Sequence, residues 1–472
     1  MTGGLALALA LSLAGQDTLL YTLAVNPAGR SVSVEARITT VGTRRLVLNA
    51  PPSTGPARTS VTGVGATDDR GRSLFVREAG STFSIELADV AAVRFRYRID
   101  FLDRWPGSST GSGFDGQHLY AVTRSLFVAP DPTAYRKTSR TFPVVRVAVL
   151  PPAGWQVAAA WPEAPSVPSA SSATFAPADG DELLGATIAL APDFRWYADT
   201  AGGVAWRLAI RGRRYFTDSS LVALIDESLR RGAVALGALP ATRVLYTSEL
   251  GRKGRVSGSL QGTAAVGLVW EPSEILDIAR SHDTFHETLH LWFGGAMEAE
   301  RWWTEGVTDY YAARLYAEWK ERPDDLAHLM YQSLRNYLEI GHNTRMTMSE
   351  ENRRRVLGDN TELLVYRKGM LAGLLLDAAI RRSSNGRRTL DDASRDLLRL
   401  ARERRSHTVR EPEIREAVRR VGGRDVERVW DRVVAGRELL TAAEVAQALR
   451  DVTGRDLQPP PLATKRGKTL RR

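Results

Sequence analysis

The chain has 472 residues, 43% of them hydrophobic and 25% charged, a balance typical of a folded globular protein. It is too long for one hydrophobic core, so two or three domains are expected. The formal charge of +10 comes from scattered Arg rather than from a basic face interleaved with aromatics, which excludes a strand-binding groove and argues against a nucleic-acid partner. Cysteine is absent, so disulfides and thiolate chemistry are excluded and any metal must be held by His and carboxylates.

Taken in chain order, the first element is the apolar run Leu5–Ala14. It has the length of a signal-peptide core, with Ser12 and Ala14 as small residues at a cleavage position, although no Lys or Arg precedes it. A signal peptide is therefore predicted over residues 1–16 and an exported bacterial protein, periplasmic or secreted; without that leader the protein would be cytoplasmic. No later segment is long and apolar enough to span a bilayer, so no stable membrane insertion is expected after the leader is removed.

From Leu20 to Trp196 the sequence alternates with period two in short runs rich in Val, Thr, Phe and Tyr, among them Ser31–Thr39, Val93–Phe101, Phe142–Leu150 and Ala186–Ala191. Gly, Pro, Asn and Asp separate the runs, so the segment 17–198 is predicted to be an antiparallel β-sandwich domain. Pro165–Asp181, full of Ser, Ala and Pro, reads as a surface loop. From about Thr217 the period becomes helical, with Leu221, Leu224, Leu229 and Ala233 on one face. Helices are predicted at 274–295, 304–321, 324–340, 361–382 and 389–403, and two strands, Arg243–Ser248 and Thr263–Trp270, before them. The fold class expected is multi-domain α+β. A β-sandwich leads into a mainly helical domain at 199–385, a helical region at 386–455 and a solvated basic tail at 456–472 carrying Lys465, Arg466, Lys468, Arg471 and Arg472.

The chemistry concentrates in Ser281–Tyr311, SHDTFHETLHLWFGGAMEAERWWTEGVTDYY. His286 and His290 are four residues apart in a helical pattern and project from one face, the spacing at which two imidazoles reach one zinc at about 2.0 to 2.1 Å. Glu287 can point toward the open coordination position and take a proton from water there. The third ligand must come from another element. Trp302, Trp303, Thr304 and Glu305 open a second helix, and Asp309 lies one turn later. Glu305 is read as the ligand and Asp309 as the acceptor of the second ring N–H of one histidine, fixing its tautomer and orientation. The helix dipole by itself also favours an acid at Glu305. His282 continues the same helical spacing, but positions i, i+4 and i+8 spread over about 12 Å of axis, so it is expected to line the cleft or hydrogen-bond locally.

These residues resemble the gluzincin peptidases, in which two His and one Glu bind zinc on a thermolysin-like helical domain. HETLHLWFGG resembles the aminopeptidase N branch. TEGVTDYY, with VYRKGMLAGLLLDAAIRRSSNGRRTLDD at 365–392, is similar to the glycyl aminopeptidase family, which often carries a PDZ domain and places a β-rich domain before the catalytic one. The resemblance covers about Ala205–Leu440. It implies one zinc ion on His286, His290 and Glu305, with Glu287 as general base. It also implies that Tyr366, in the run Tyr366–Gly369, donates to the oxyanion; a half-buried core tyrosine is the other reading.

Three features depart from the pattern. Only 14 residues separate His290 from Glu305, which requires a tight loop that Gly294 and Gly295 make feasible, and Asp309 stays open as the third ligand because it sits near the aminopeptidase N spacing. Where these families have a Gly-rich strand ending in a glutamate that grips the substrate amine, this chain has Gly258 through Gln261, and a neutral Gln261 cannot make the charge-assisted bond. That strand could still pair with an extended substrate. No PDZ domain is expected after Leu440. The function expected is a zinc-dependent peptidase acting on peptide or protein substrates, aminopeptidase or endopeptidase. The alternative is a non-catalytic relative serving as a binding or assembly module. The oligomeric state is not legible.

Overall fold

The computed structural model describes residues 18–40, 43–51, 58–106, 108–130, 142, 144–164, 172–250, 257–262, 264–270, 276–339, 346–350, 362–404 and 407–457. The signal peptide expected at 1–16 and the basic tail beyond residue 457 lie outside them. The chain divides into two compact units: residues 1–200, 204–222 and 241–275 form the first, and 201–203, 223–240 and 276–472 the second.

The first unit is built on strands. Its largest sheet has seven, in the order Ala173–Phe175, Val144–Leu150, Thr18–Asn26, Ser31–Thr39, Ala92–Phe101, Thr59–Asp68 and Ser73–Leu74. Period-two alternation explains the register. Val93, Phe95, Tyr97, Ile99 and Phe101 are buried on one face, while Arg94 and Arg96 on the other pair with Glu35 of the neighbouring strand at 3.2 and 2.7 Å. Pairing is antiparallel throughout this sheet except that Thr18–Asn26 runs parallel to Val144–Leu150. Ala173–Phe175, expected to be loop, forms an edge strand because Phe175 is buried opposite Val147.

Two four-stranded sheets share the same apolar core: Phe83 packs on Phe95 at 5.5 Å between ring centroids, and Tyr21 donates its hydroxyl to Val128 O at 2.8 Å. A fourth sheet has five strands, ordered Arg195–Ala201, Val204–Ile210, Arg243–Leu250, Ala265–Trp270 and Ser257–Gln261. Its central pairings are parallel and its last strand is antiparallel at the edge. The parallel pair Val204–Ile210 and Arg243–Leu250 needs a crossover connection, which helix α1, Asp218–Leu236, provides in the chain between them.

The second unit is helical. After α1 it contains α2, Ile278–Leu289; one turn of π-helix, Trp302–Val307, running into α3, Thr308–Lys320; α4, Pro323–Glu339; and α5, Glu362–Ser383. Then follow α6, Leu390–Glu403; α7, Glu411–Val429; and α8, Ala442–Thr453. Helix α6 starts on a capping box, Thr389 with Asp392. Trp302, Trp303, Trp430, Tyr310, Tyr311 and Tyr337 are fully buried in its core. Buried Asp377 of α5 binds the Tyr310 hydroxyl at 2.5 Å, the Leu390 N–H at 2.8 Å and Arg381 at 3.1 Å, tying α3 and the start of α6 to α5. Among the described residues no helix is long and apolar enough to cross a membrane.

One close approach sets the position of α5. A Cβ on Gly306 would fall 2.5 Å from Gly369 Cα, and one on Gly369 would fall 2.7 Å from Trp302 O. The π-helical turn and α5 therefore touch backbone to backbone, which only glycine permits at both positions. Gly369→Ala should cost roughly 1–3 kcal/mol through overpacking against rigid backbone. Denaturant titration checks this, and a midpoint equal to that of the unmodified protein refutes the contact.

Candidate metal centre

Helix α2 is oriented by its cap and its apolar face. Asp277 accepts from the Arg280 N–H at 2.9 Å, and Phe285 and Leu289 are fully buried. This leaves His282, His286 and Glu287 along the face beside α3 and α5. The regular helix ends at Leu289, short of the predicted residue 295. His290 keeps helical angles as the C-cap, so the four-residue spacing still places both imidazoles together. The chain then turns at Gly294, whose φ is 127°, and the Gly295 N–H caps the His290 carbonyl at 2.9 Å. That turn is how the 14-residue loop to Glu305 closes.

The two histidines are held by different partners with one result. His290 Nδ1 donates to the Phe293 carbonyl at 2.8 Å, and His286 Nδ1 lies 2.8 Å from Asp309 Oδ1. Each Nε2 is left to face Glu305 Oε2, at 3.6 Å from His286 and 3.5 Å from His290. The ligand-type atoms of His286, His290 and Glu305 all lie within 4.8 Å of one another. Two imidazole nitrogens and one carboxylate oxygen converge here, and with the imidazoles neutral the three could hold a metal ion. Asp309 is turned to the outer nitrogen of His286 and does not belong to this trio. His282 donates from Nε2 to the Asp309 backbone carbonyl at 3.1 Å and so braces Asp309.

The site is strongly charged for its depth. Burial opposes a proton on His286, but Asp309, Glu305 and Glu287 outweigh it and raise its pKa well above the usual value. Burial would raise Glu305, yet the two imidazoles overcome it and hold its carboxyl well below the normal carboxylate range. Glu287 is pushed up, chiefly by burial, with His286 and His290 opposing. Burial and the neighbouring Glu305 also raise Tyr366.

Tyr366 lies on α5 three residues before Gly369, so the glycine contact that docks α5 on the π-helical turn also delivers its phenol to the side of Glu305. Its ring centroid is 6.1 Å from that of His286. His286, Glu287, Asp309, Tyr366 and Arg367 line one cavity of about 350 Å³. Gly258 and Gln261 lie on the edge strand of the five-stranded sheet in the first unit, where the Gln261 amide donates to Ser259 Oγ at 2.9 Å. His282 lines the cavity and hydrogen-bonds locally, as its helical spacing suggested, whereas the carbonyl of Phe293 and the place of Arg367 in the cavity were not legible in the chain order.

Asp309→Asn keeps an acceptor for the His286 N–H but removes its charge. Metal affinity should fall about 10- to 100-fold, measurable by competition with a chromogenic chelator; unchanged affinity would show that Asp309 does not support His286.

No protein-family model matches the sequence, and no curated protein matches it. Solved structures do. An aminopeptidase N family protein from Idiomarina loihiensis superposes with a TM-score of 0.78 at 17% identity, over 91% of this chain and 78% of that one. The M1 zinc metallopeptidase from Deinococcus radiodurans gives 0.57 at 15% identity, over 90% and 94%, and a mutant of it was solved bound to a Tyr-Ser-Ala substrate. The chain thus has the multi-domain α+β fold of the aminopeptidase N family and M1 zinc metallopeptidases, β-rich first and helical after.

Proposed function

We propose that the chain is a zinc-dependent peptidase, with His286, His290 and Glu305 holding one zinc ion and Glu287 as general base. The convergence of two Nε2 atoms on one Glu305 oxygen at 3.5 and 3.6 Å carries this reading. The N,N,O donor set suits zinc and leaves room for water or substrate in a fourth position. When bound, zinc supplies a Lewis acid that polarises a carbonyl and eases deprotonation of water. Glu287, its proton affinity raised by burial, accepts the proton of the attacking water and returns it to the leaving amine. Tyr366 keeps its phenolic proton, because burial and Glu305 disfavour the phenolate, and so is a donor for the oxyanion of the scissile carbonyl.

The reading extends to a thermolysin-like peptidase domain at 199–385, peptides as substrates and an exported protein. Gly258 and Gln261 are assigned to the substrate-binding strand. The substrate of the Deinococcus radiodurans mutant, a tripeptide, supports small peptides as the substrate class. Gln261, an amide already engaged by Ser259, favours loose rather than strict recognition of a free amine, so endopeptidase or mixed activity belongs to the proposal.

Peptide-library profiling of the purified protein, with and without chelator, tests it. Cleavage that disappears with chelator and returns with added zinc is expected. No chelator-sensitive cleavage of any peptide would replace this reading with that of a binding or assembly module.

A further inference from the structure

The cavity beside the metal centre contains two guanidinium groups, and they are not equivalent. Arg280 is engaged by Asp283 at 2.8 Å. Arg367 is paired more loosely, with Asp309. Its Nη1 is 3.9 Å from Asp309 Oδ2, beyond hydrogen-bond range, and its Nε is buried without a hydrogen-bond partner among the described residues. Asp309 is meanwhile turned to His286 Nδ1 at 2.8 Å. The Arg367 side chain is 32% exposed and lines the cavity with Tyr366 and Glu287, so its fork is accessible to an occupant.

A planar guanidinium matches a carboxylate with two parallel hydrogen bonds, a geometry Lys cannot reproduce. At about 350 Å³ the cavity is at the lower end of small-ligand pockets, which limits the occupant to a short peptide segment. Resting on the peptidase reading above, we infer that Arg367 is a specificity-determining residue that receives a carboxylate of the substrate, close to the scissile bond. The carboxylate is the free C-terminus of a short peptide or an acidic side chain.

The test uses Ala-Phe-Ala with a free C-terminus, the same peptide amidated, and amidated Ala-Phe-Glu. Turnover is measured for the unmodified protein, Arg367→Gln and Arg367→Lys, and binding of the three peptides to Glu287→Gln protein is measured by calorimetry. The free acid should exceed its amide in kcat/KM by about 10- to 100-fold, the range for a charge-assisted pair, with the difference in KM. Arg367→Gln should bring that ratio to near one, and Arg367→Lys should restore part of it. Amidated Ala-Phe-Glu performing like the free acid assigns recognition to any nearby carboxylate, and performing like the amide assigns it to the C-terminus; both support the inference. A ratio near one in the unmodified protein overturns it, as does a ratio that survives Arg367→Gln. An equal loss for all three peptides would instead make Arg367 a support for Asp309, and also overturns it. If no peptide is cleaved, the peptidase reading falls, and the acid-over-amide ratio in binding still decides the role of Arg367.

Discussion

Glu287→Gln should leave metal content unchanged and lower kcat by about 10² to 10⁴, the range for a lost general acid–base. The isosteric amide keeps the shape of the cavity but cannot accept a proton. Glu287 is not among the three groups whose ligand atoms converge, so zinc measured by elemental analysis should stay at one per chain. The pair of measurements matters because either alone is ambiguous: loss of activity with loss of zinc would indicate a damaged site. A fully active Glu287→Gln protein would remove Glu287 from proton transfer.

Tyr366→Phe should lower kcat by about 10² to 10³, the typical loss for one oxyanion donor, with little change in KM. A donor that strengthens its bond only as charge develops on the carbonyl contributes to the transition state and little to the ground state. If Tyr366 were merely a core tyrosine, removal of its hydroxyl would change stability and leave kcat alone. Its position supports the catalytic role: it lines the cavity with Glu287, and Glu305 is close enough to raise its pKa. An unchanged kcat sinks that role.

Much of this was legible locally. His286 and His290 share a face because a helix repeats every 3.6 residues, and that holds wherever the helix packs. The strand Ser31–Thr39 was bounded correctly because alternating burial is a local pattern, and the helices at 324–340 and 389–403 fell within about a residue of α4 and α6 for the same reason. The overshoot of α2 to residue 295 came from reading apolar periodicity through Leu291, Trp292 and Phe293, which are buried but lie in a turn. A glycine pair signals such a turn without dating it to a residue. The strand at Ala173–Phe175 was missed because it exists only through its partner at Val147–Val149.

The candidate metal centre divides along the same line. By itself the sequence determined the two histidines, Glu287 between them, and a β-rich half before a helical one, since each follows from spacing within a single element. It could not choose between Glu305 and Asp309, which are four residues apart and share a helix face. Only the tertiary structure decides which of the two carboxylates faces both Nε2 atoms. The π-helical turn, locked to α5 where Gly306 meets Gly369, brings Glu305 Oε2 to both Nε2 atoms and leaves Asp309 at the outer nitrogen of His286. The same contact places Tyr366 and Arg367 at the cavity. Spacing along a chain encodes which side chains share a face; which atom of which face meets another element is set by packing between segments far apart in sequence.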